Sequence, residues 1–107
     1  MSDSPSSPSA GLTGTQRKYL RGLAHSLSPV VHVGKGGLGE GVLAATRRAL
    51  LDHELVKVKL SGGDKEEREA QIAYLTEGTG AESVQQIGHT VTLFRRNEDE
   101  PKLALPR

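Results

Sequence analysis

Five glycines stand within eight residues in the run Gly34-Lys35-Gly36-Gly37-Leu38-Gly39-Glu40-Gly41, with a lysine near the start. Where side chains are missing, backbone N–H groups can approach phosphate oxygens closely, and a lysine adds a point charge. Val30 to Val33 precede the run and have the composition of a short strand, and helix-forming residues follow it. The first amides of a helix have no internal partner and lie at its positive end, so strand, glycine turn and helix start together suit an anion. Two anions compete for this corner: the phosphates of a small nucleotide and the backbone of a nucleic acid.

The nucleotide option rests on Gly34-Lys35-Gly36-Gly37-Leu38-Gly39, which matches G-x-G-x-x-G after a strand and before a helix. A stretch this rich in glycine meets many glycine templates by chance. A dinucleotide fold also wants an acid for the ribose about 20 residues on, near the end of the second strand. Leu55 to Leu60 offers Lys57 and Lys59 there instead. Two mononucleotide halves do not fit in 107 residues. A P-loop needs Lys-Ser/Thr directly after its last glycine, whereas this lysine comes early. Gly34-Lys35-Gly36-Gly37 does satisfy G-x-x-G, the loop with which KH-type modules clamp the backbone of several nucleotides. Lys57 and Lys59 share one face of the next strand and would extend the positive track. A tight strand-to-helix turn with no ligand explains the same glycines and stays open on local sequence.

Other chemistry is sparse. His25, His32, His53 and His89 show no metal-ligand spacing, so no metal is expected. His53 falls on the apolar side of its helix and is expected to be packed; His89 reads as a turn residue. The acids of Asp64 to Glu69 and Glu98 to Glu100 read as a helix start and a solvated loop, not an acid–base pair. No nucleophile stands beside a base, so neither catalytic residues nor a cofactor is expected. One phenylalanine cannot supply the stacking platform of an RRM sheet.

The elements that would position the loop follow from periodicity. Thr13 and Gln16 have capping-box spacing before a helix over 14–25. Tyr19, Leu20, Leu23, Ala24 and Leu27 fall on one side of it, and Arg17, Lys18, Arg21 and His25 on the other. Ser28-Pro29 ends it. A second helix over 40–53 puts Val42, Leu43, Thr46, Ala49, Leu50 and His53 on one face, with Arg47 and Arg48 off it. In the strand over 55–60, Val56, Val58 and Leu60 alternate with Leu55, Lys57 and Lys59. Asp64 and Glu67 cap a third helix over 65–77, with Ile72, Leu75 and Thr79 on one face and Gly78 or Gly80 as its stop. Residues 83–87 and 90–95 form a hairpin around Gly88-His89. Asn97 to Pro101 is a polar break. Helices alternating with strands imply a layered α/β sandwich.

One domain over 12–107 is expected, after a disordered Ser/Pro-rich tail at 1–11 that has no signal-peptide pattern. The net charge of +1 hides polarity. Residues 12–60 hold eight bases against three acids, and residues 61–107 six against nine. One basic face can therefore meet a polyanion despite the neutral total. The absence of cysteine suits a reducing cytoplasm, the expected location. No apolar run reaches the roughly 20 residues of a membrane span.

Several separated stretches carry a family resemblance: LTGTQRKYLRGLAHSLSPVVHVGKGGLGEGVL, then HELVKVKL, TGAESVQQIGHTVTLFRR and the closing LPR. Together they resemble the CRM domain, and more narrowly its stand-alone bacterial YhbY-type form. The resemblance implies a four-stranded mixed sheet packed by three helices, similar to the C-terminal domain of bacterial translation initiation factor three. It also implies RNA binding through Gly34, Lys35, Gly36 and Gly37, with basic surface nearby. Arg17, Lys18, Arg21, Lys57 and Lys59 are the expected flanking contacts, with Arg47, Arg48 and Arg95 as further candidates. Stand-alone members are associated with precursors of the large ribosomal subunit, so the implied partner of this expected monomer is ribosomal RNA during ribosome assembly. Multi-domain plant relatives act in organelle splicing. A protein-interaction module, or a small nucleotide-binding protein, is the alternative.

Overall fold

Thr13 starts the first helix as its spacing to Gln16 predicts. In the computed structural model, which describes residues 12–34, 38–61 and 63–106, the Thr13 hydroxyl accepts the Gln16 N–H at 3.1 Å and Gln16 Oε1 accepts the Thr13 N–H at 3.0 Å. The elements are α1 (Gly14–Ala24), β1 (Val31–His32), α2 (Glu40–His53), β2 (Leu55–Lys59), α3 (Lys65–Thr79), β3 (Glu82–Ile87) and β4 (Thr90–Phe94). Asp64 caps α3 by accepting the Glu67 N–H at 2.8 Å. Gly80 ends α3 in the left-handed region at φ 78°, and Gly88 opens the β3–β4 turn at φ 59°.

Gly78 lies inside α3 instead of stopping it. A Cβ at that position would sit 2.6 Å from Leu43 Cδ2, so the missing side chain lets α3 approach α2. Arg47 Nη2 spans the same contact by donating to the Gly78 carbonyl at 3.0 Å.

The sheet runs β1-β2-β4-β3. β1 and β2 are parallel, and β4 is antiparallel to both β2 and β3, so the sheet is mixed. The crossovers through α2 and α3 step the same way across it, and a common hand then puts both helices on one face. There Leu50 of α2 and Leu75 of α3 close the aliphatic core over Val31, Val56, Val58, Val91 and Leu93. On the opposite face, α1 covers only one end, where Leu20 and Ala24 meet Leu55, Val84 and Phe94. A register shift between Ser83 and Gln85 turns Val84 into that cluster.

This narrow contact corrects the expected apolar face of α1. Leu20, Leu23 and Ala24 reach the sheet, whereas Tyr19 is 40% exposed and Leu27 37%. His53 is likewise exposed, not packed. It is the last residue of α2, beyond the reach of the core.

After His53 the chain reverses at Glu54, which adopts φ 64° and is fully buried. Its Oε1 accepts the N–H groups of Lys102 and Leu103, both at 2.7 Å, and its Oε2 accepts that of Asn97 at 2.6 Å. Asn97 Oδ1 in turn accepts the Asp99 and Glu100 amides. The polar break at 97–101 is thus curled around a buried acid. Beyond it, Leu103 and Leu105 pack on the α1 cluster, and Gln16 Nε2 donates to the Pro106 carbonyl at 2.9 Å.

Candidate nucleic-acid interface

Because α1 covers one end of its face, the strand register lays out three rows of side chains there. Leu55, Phe94 and Glu82 form the row beneath α1. Lys57, Thr92 and Gln85 form the middle row, and His32, Lys59, Thr90 and Ile87 the outer one. The outer row lies at the end of the sheet where β1 leads into the glycine loop. Val33 N–H donates to the Lys59 carbonyl at 2.8 Å, so Lys59 and His32 stand beside Gly34. Gly34 is exposed, and among the described residues a Cβ built on it would meet nothing within 4 Å beyond its chain neighbours. Lys35, Gly36 and Gly37, the centre of the expected phosphate clamp, lie outside the described residues, as do residues 1–11.

The fold brings together four of the expected flanking cations. Lys59 is exposed, Lys57 half-buried, Arg21 half-buried and Lys18 exposed. Arg21 and His25 share a recess with Lys57, and Lys18 lies one turn before Arg21 on the same flank of α1. Among the described residues, none of these four cations has a salt bridge to a carboxylate. Glu40, exposed in the first turn of α2, is the nearest acid in sequence to the loop.

Arg17 is placed differently. Its Nη2 is ion-paired with Glu82, and its Nη1 donates to the Ser83 carbonyl at 2.9 Å. The face of α1 that holds no acid of its own thus receives one from β3. Burial pushes the Glu82 carboxyl above its ordinary value of 4.5, and Arg17 pulls it down without reversing that. Protonation of Glu82 therefore favours the folded state. Its contribution to stability is complete below pH 4.5 and is lost as the pH rises through the higher folded value. Glu82→Gln should flatten that part of a pH series of urea-unfolding free energies; an unchanged slope would show that Glu82 does not titrate in this range.

The remaining candidates lie elsewhere. Arg47 is engaged on Gly78, and Arg48 pairs with Asp52 at 3.4 Å, both on the α2–α3 side of the sheet. Arg95 stands beside Gly80, past the end of β4 that is far from Gly34. His32, Gln85, Thr90 and Thr92 were not singled out from sequence, though they complete the open face. His32 could have been found from the period-2 alternation against Val31 and Val33. Gln85 could not, because the register shift beside it is invisible in a linear pattern. Among the described residues no helix is long and apolar enough to cross a membrane, and no three His, Asp or Glu side chains are grouped to hold a metal ion.

Comparison with known proteins agrees with the architecture. The CRS1/YhbY (CRM) domain pattern matches residues 12–95. A Haemophilus influenzae protein named as an RNA-binding protein is 48% identical over 96 residues, covering 90% of this chain and 96% of its own. The Bacillus subtilis "Probable RNA-binding protein YqeI" is 34% identical, covering 89% of this chain and 99% of its own. The solution structure of a Staphylococcus aureus protein, described as a candidate RNA binder, superposes with a TM-score of 0.76 at 34% identity over 89% of this chain and 99% of that one. With three helices on a four-stranded mixed sheet and the family pattern across most of its length, this chain belongs to the CRS1/YhbY (CRM) domain family.

Proposed function

We propose that residues 12–107 form a single RNA-binding domain that grips the sugar–phosphate backbone and carries out no catalysis. The observation that carries this is the set of cations that have no carboxylate partner among the described residues, Lys18, Arg21, Lys57 and Lys59, on the face of the sheet that leads to Gly34. Gly34, Gly36 and Gly37 shape the cradle, Lys35 contacts phosphate, and the flanking cations steer and hold the strand. Arg17 keeps an auxiliary role, since it must leave Glu82 to reach a phosphate. Relatives named as RNA-binding proteins support the ligand class. The proposed target is ribosomal RNA in precursors of the large subunit, bound in the cytoplasm by a monomer during ribosome assembly.

A salt titration of binding to a single-stranded RNA tests this. Five phosphate contacts, Lys35 and the four flanking cations, predict a slope of log affinity against log salt of about −3.5, at about −0.7 per contact for single strands. Lys35→Ala should make the slope shallower by about 0.7. No binding, or a slope near zero, would rule out a backbone grip. An unchanged slope in Lys35→Ala would take the loop out of the interface. Sedimentation with large-subunit precursor particles, against free protein at the top of the gradient, tests the ribosomal role.

A further inference from the structure

Phosphate contacts position a strand without reading it, yet the open face holds more than cations. Between the C-terminal half of α1 and the exposed half of the sheet lies a recess of about 200 Å³. Arg21 and Lys57 stand at it as cations, Gln85 and Thr92 supply polar groups, and Pro29 and Ile87 add apolar surface. Thr92 is only 3% exposed, and its side chain has no hydrogen-bond partner among the described residues. The Gln85 amide also has none among them. Two polar side chains that engage no described protein group line one recess, the half-buried Gln85 and the hydroxyl of Thr92, and both are free to hydrogen-bond an incoming partner. Ile87 is 64% exposed, an isoleucine left at the rim where an apolar ligand surface could cover it.

We propose that this recess takes one unstacked nucleobase of the bound RNA and gives the protein its base preference. Single-stranded RNA is read by splaying a base out, packing its faces and hydrogen-bonding its edge. Here Pro29 and Ile87 pack the base. Gln85, with both donors and an acceptor, and the Thr92 hydroxyl read its edge. Arg21 and Lys57 hold the adjoining phosphates. This site rests on the RNA-binding function proposed above and adds specificity to it.

The test uses the full chain and nine-nucleotide homopolymers of U, C, A and G at fixed salt. Wild type should separate the best from the worst homopolymer. Gln85→Ala and Thr92→Val should each shrink that spread by about fivefold, the size of one or two neutral hydrogen bonds, and leave the salt slope unchanged. Gln85 has no side-chain partner to lose, so its variant should fold even if the buried Thr92 variant does not. Equal wild-type affinity for all four strands would overturn the base site and leave the backbone grip standing, as would an unchanged spread in Gln85→Ala. A 5′-mononucleotide that binds as tightly as a nine-nucleotide strand would overturn it too, in favour of a small-nucleotide site. Failure to bind any strand would overturn the RNA function itself.

Discussion

Replacing Glu54 with alanine should lower the unfolding free energy by about 3 kcal/mol, the largest effect of any single side chain proposed for change. The carboxylate is fully buried and accepts three backbone N–H groups, from Asn97, Lys102 and Leu103. Removing it strands three part-buried donors, each costing at most about 1–3 kcal/mol if nothing replaces the acceptor. Water reaching the loosened segment recovers part of that sum. Backbone strain cancels in this comparison, because alanine at φ 64° suffers as glutamate does. Glu54→Gln should cost less, since its oxygen can still serve Lys102 and Leu103 while its NH₂ faces the Asn97 N–H. Urea unfolding measures the loss, and hydrogen exchange at residues 97–103 locates it. A Glu54→Ala protein within 1 kcal/mol of wild type, with those amides still protected, would show that Leu103 and Leu105 hold the segment without the acid.

The paired change Lys57→Gln, Lys59→Gln should weaken RNA binding about 25-fold at 0.1 M salt. Each phosphate contact contributes through counterion release, worth about fivefold at this concentration for a single strand. The salt slope should become shallower by about 1.4. Glutamine keeps much of the aliphatic stem that a half-buried lysine packs along β2, so fold loss is not the expected cause. The matching control is Arg47→Gln, Arg48→Gln, which removes the same charge from the α2–α3 side. Fluorescence anisotropy at several salt concentrations separates the two pairs. Equal losses would mean that net charge, not the open face of the sheet, governs binding, and the interface assigned here would be misplaced.

The two effects come from opposite treatments of charge. Glu54 is drawn inside and saturated by backbone donors, so its removal is felt as instability. Lys57 and Lys59 lie on a central strand yet stay accessible, because α1 is too short to cover the face they occupy. A central strand bearing solvated cations is poor use of burial unless the face has a partner. An RNA backbone is the partner whose chemistry matches it.

Local signals explain how much was legible in the primary structure. Capping pairs at Thr13–Gln16 and Asp64–Glu67, the proline after α1 and the two-residue alternation of β2 each depend on neighbours three or four positions away. They therefore place α1, α2, β2 and α3 to within a residue or two. The G-x-x-G run and the cations Lys57 and Lys59 are visible for the same reason. Gly78 misleads because a glycine near a helix end usually marks its stop, whereas here its lack of a side chain serves the approach of Leu43.

What remained hidden depends on contacts across long stretches of chain. Glu54 looks like any acid between a helix and a strand. Only the return of residues 97–103 supplies the N–H groups that make its burial tolerable. Arg17 looks like a free cation on α1 until β3 brings Glu82 to it. The recess at Gln85 and Thr92 exists because a register shift, a short helix and a hairpin meet at one place. Periodicity reports which side of an element faces inward, but it carries no information about which distant group arrives there, and that pairing sets the charge and the shape of the open face of the sheet.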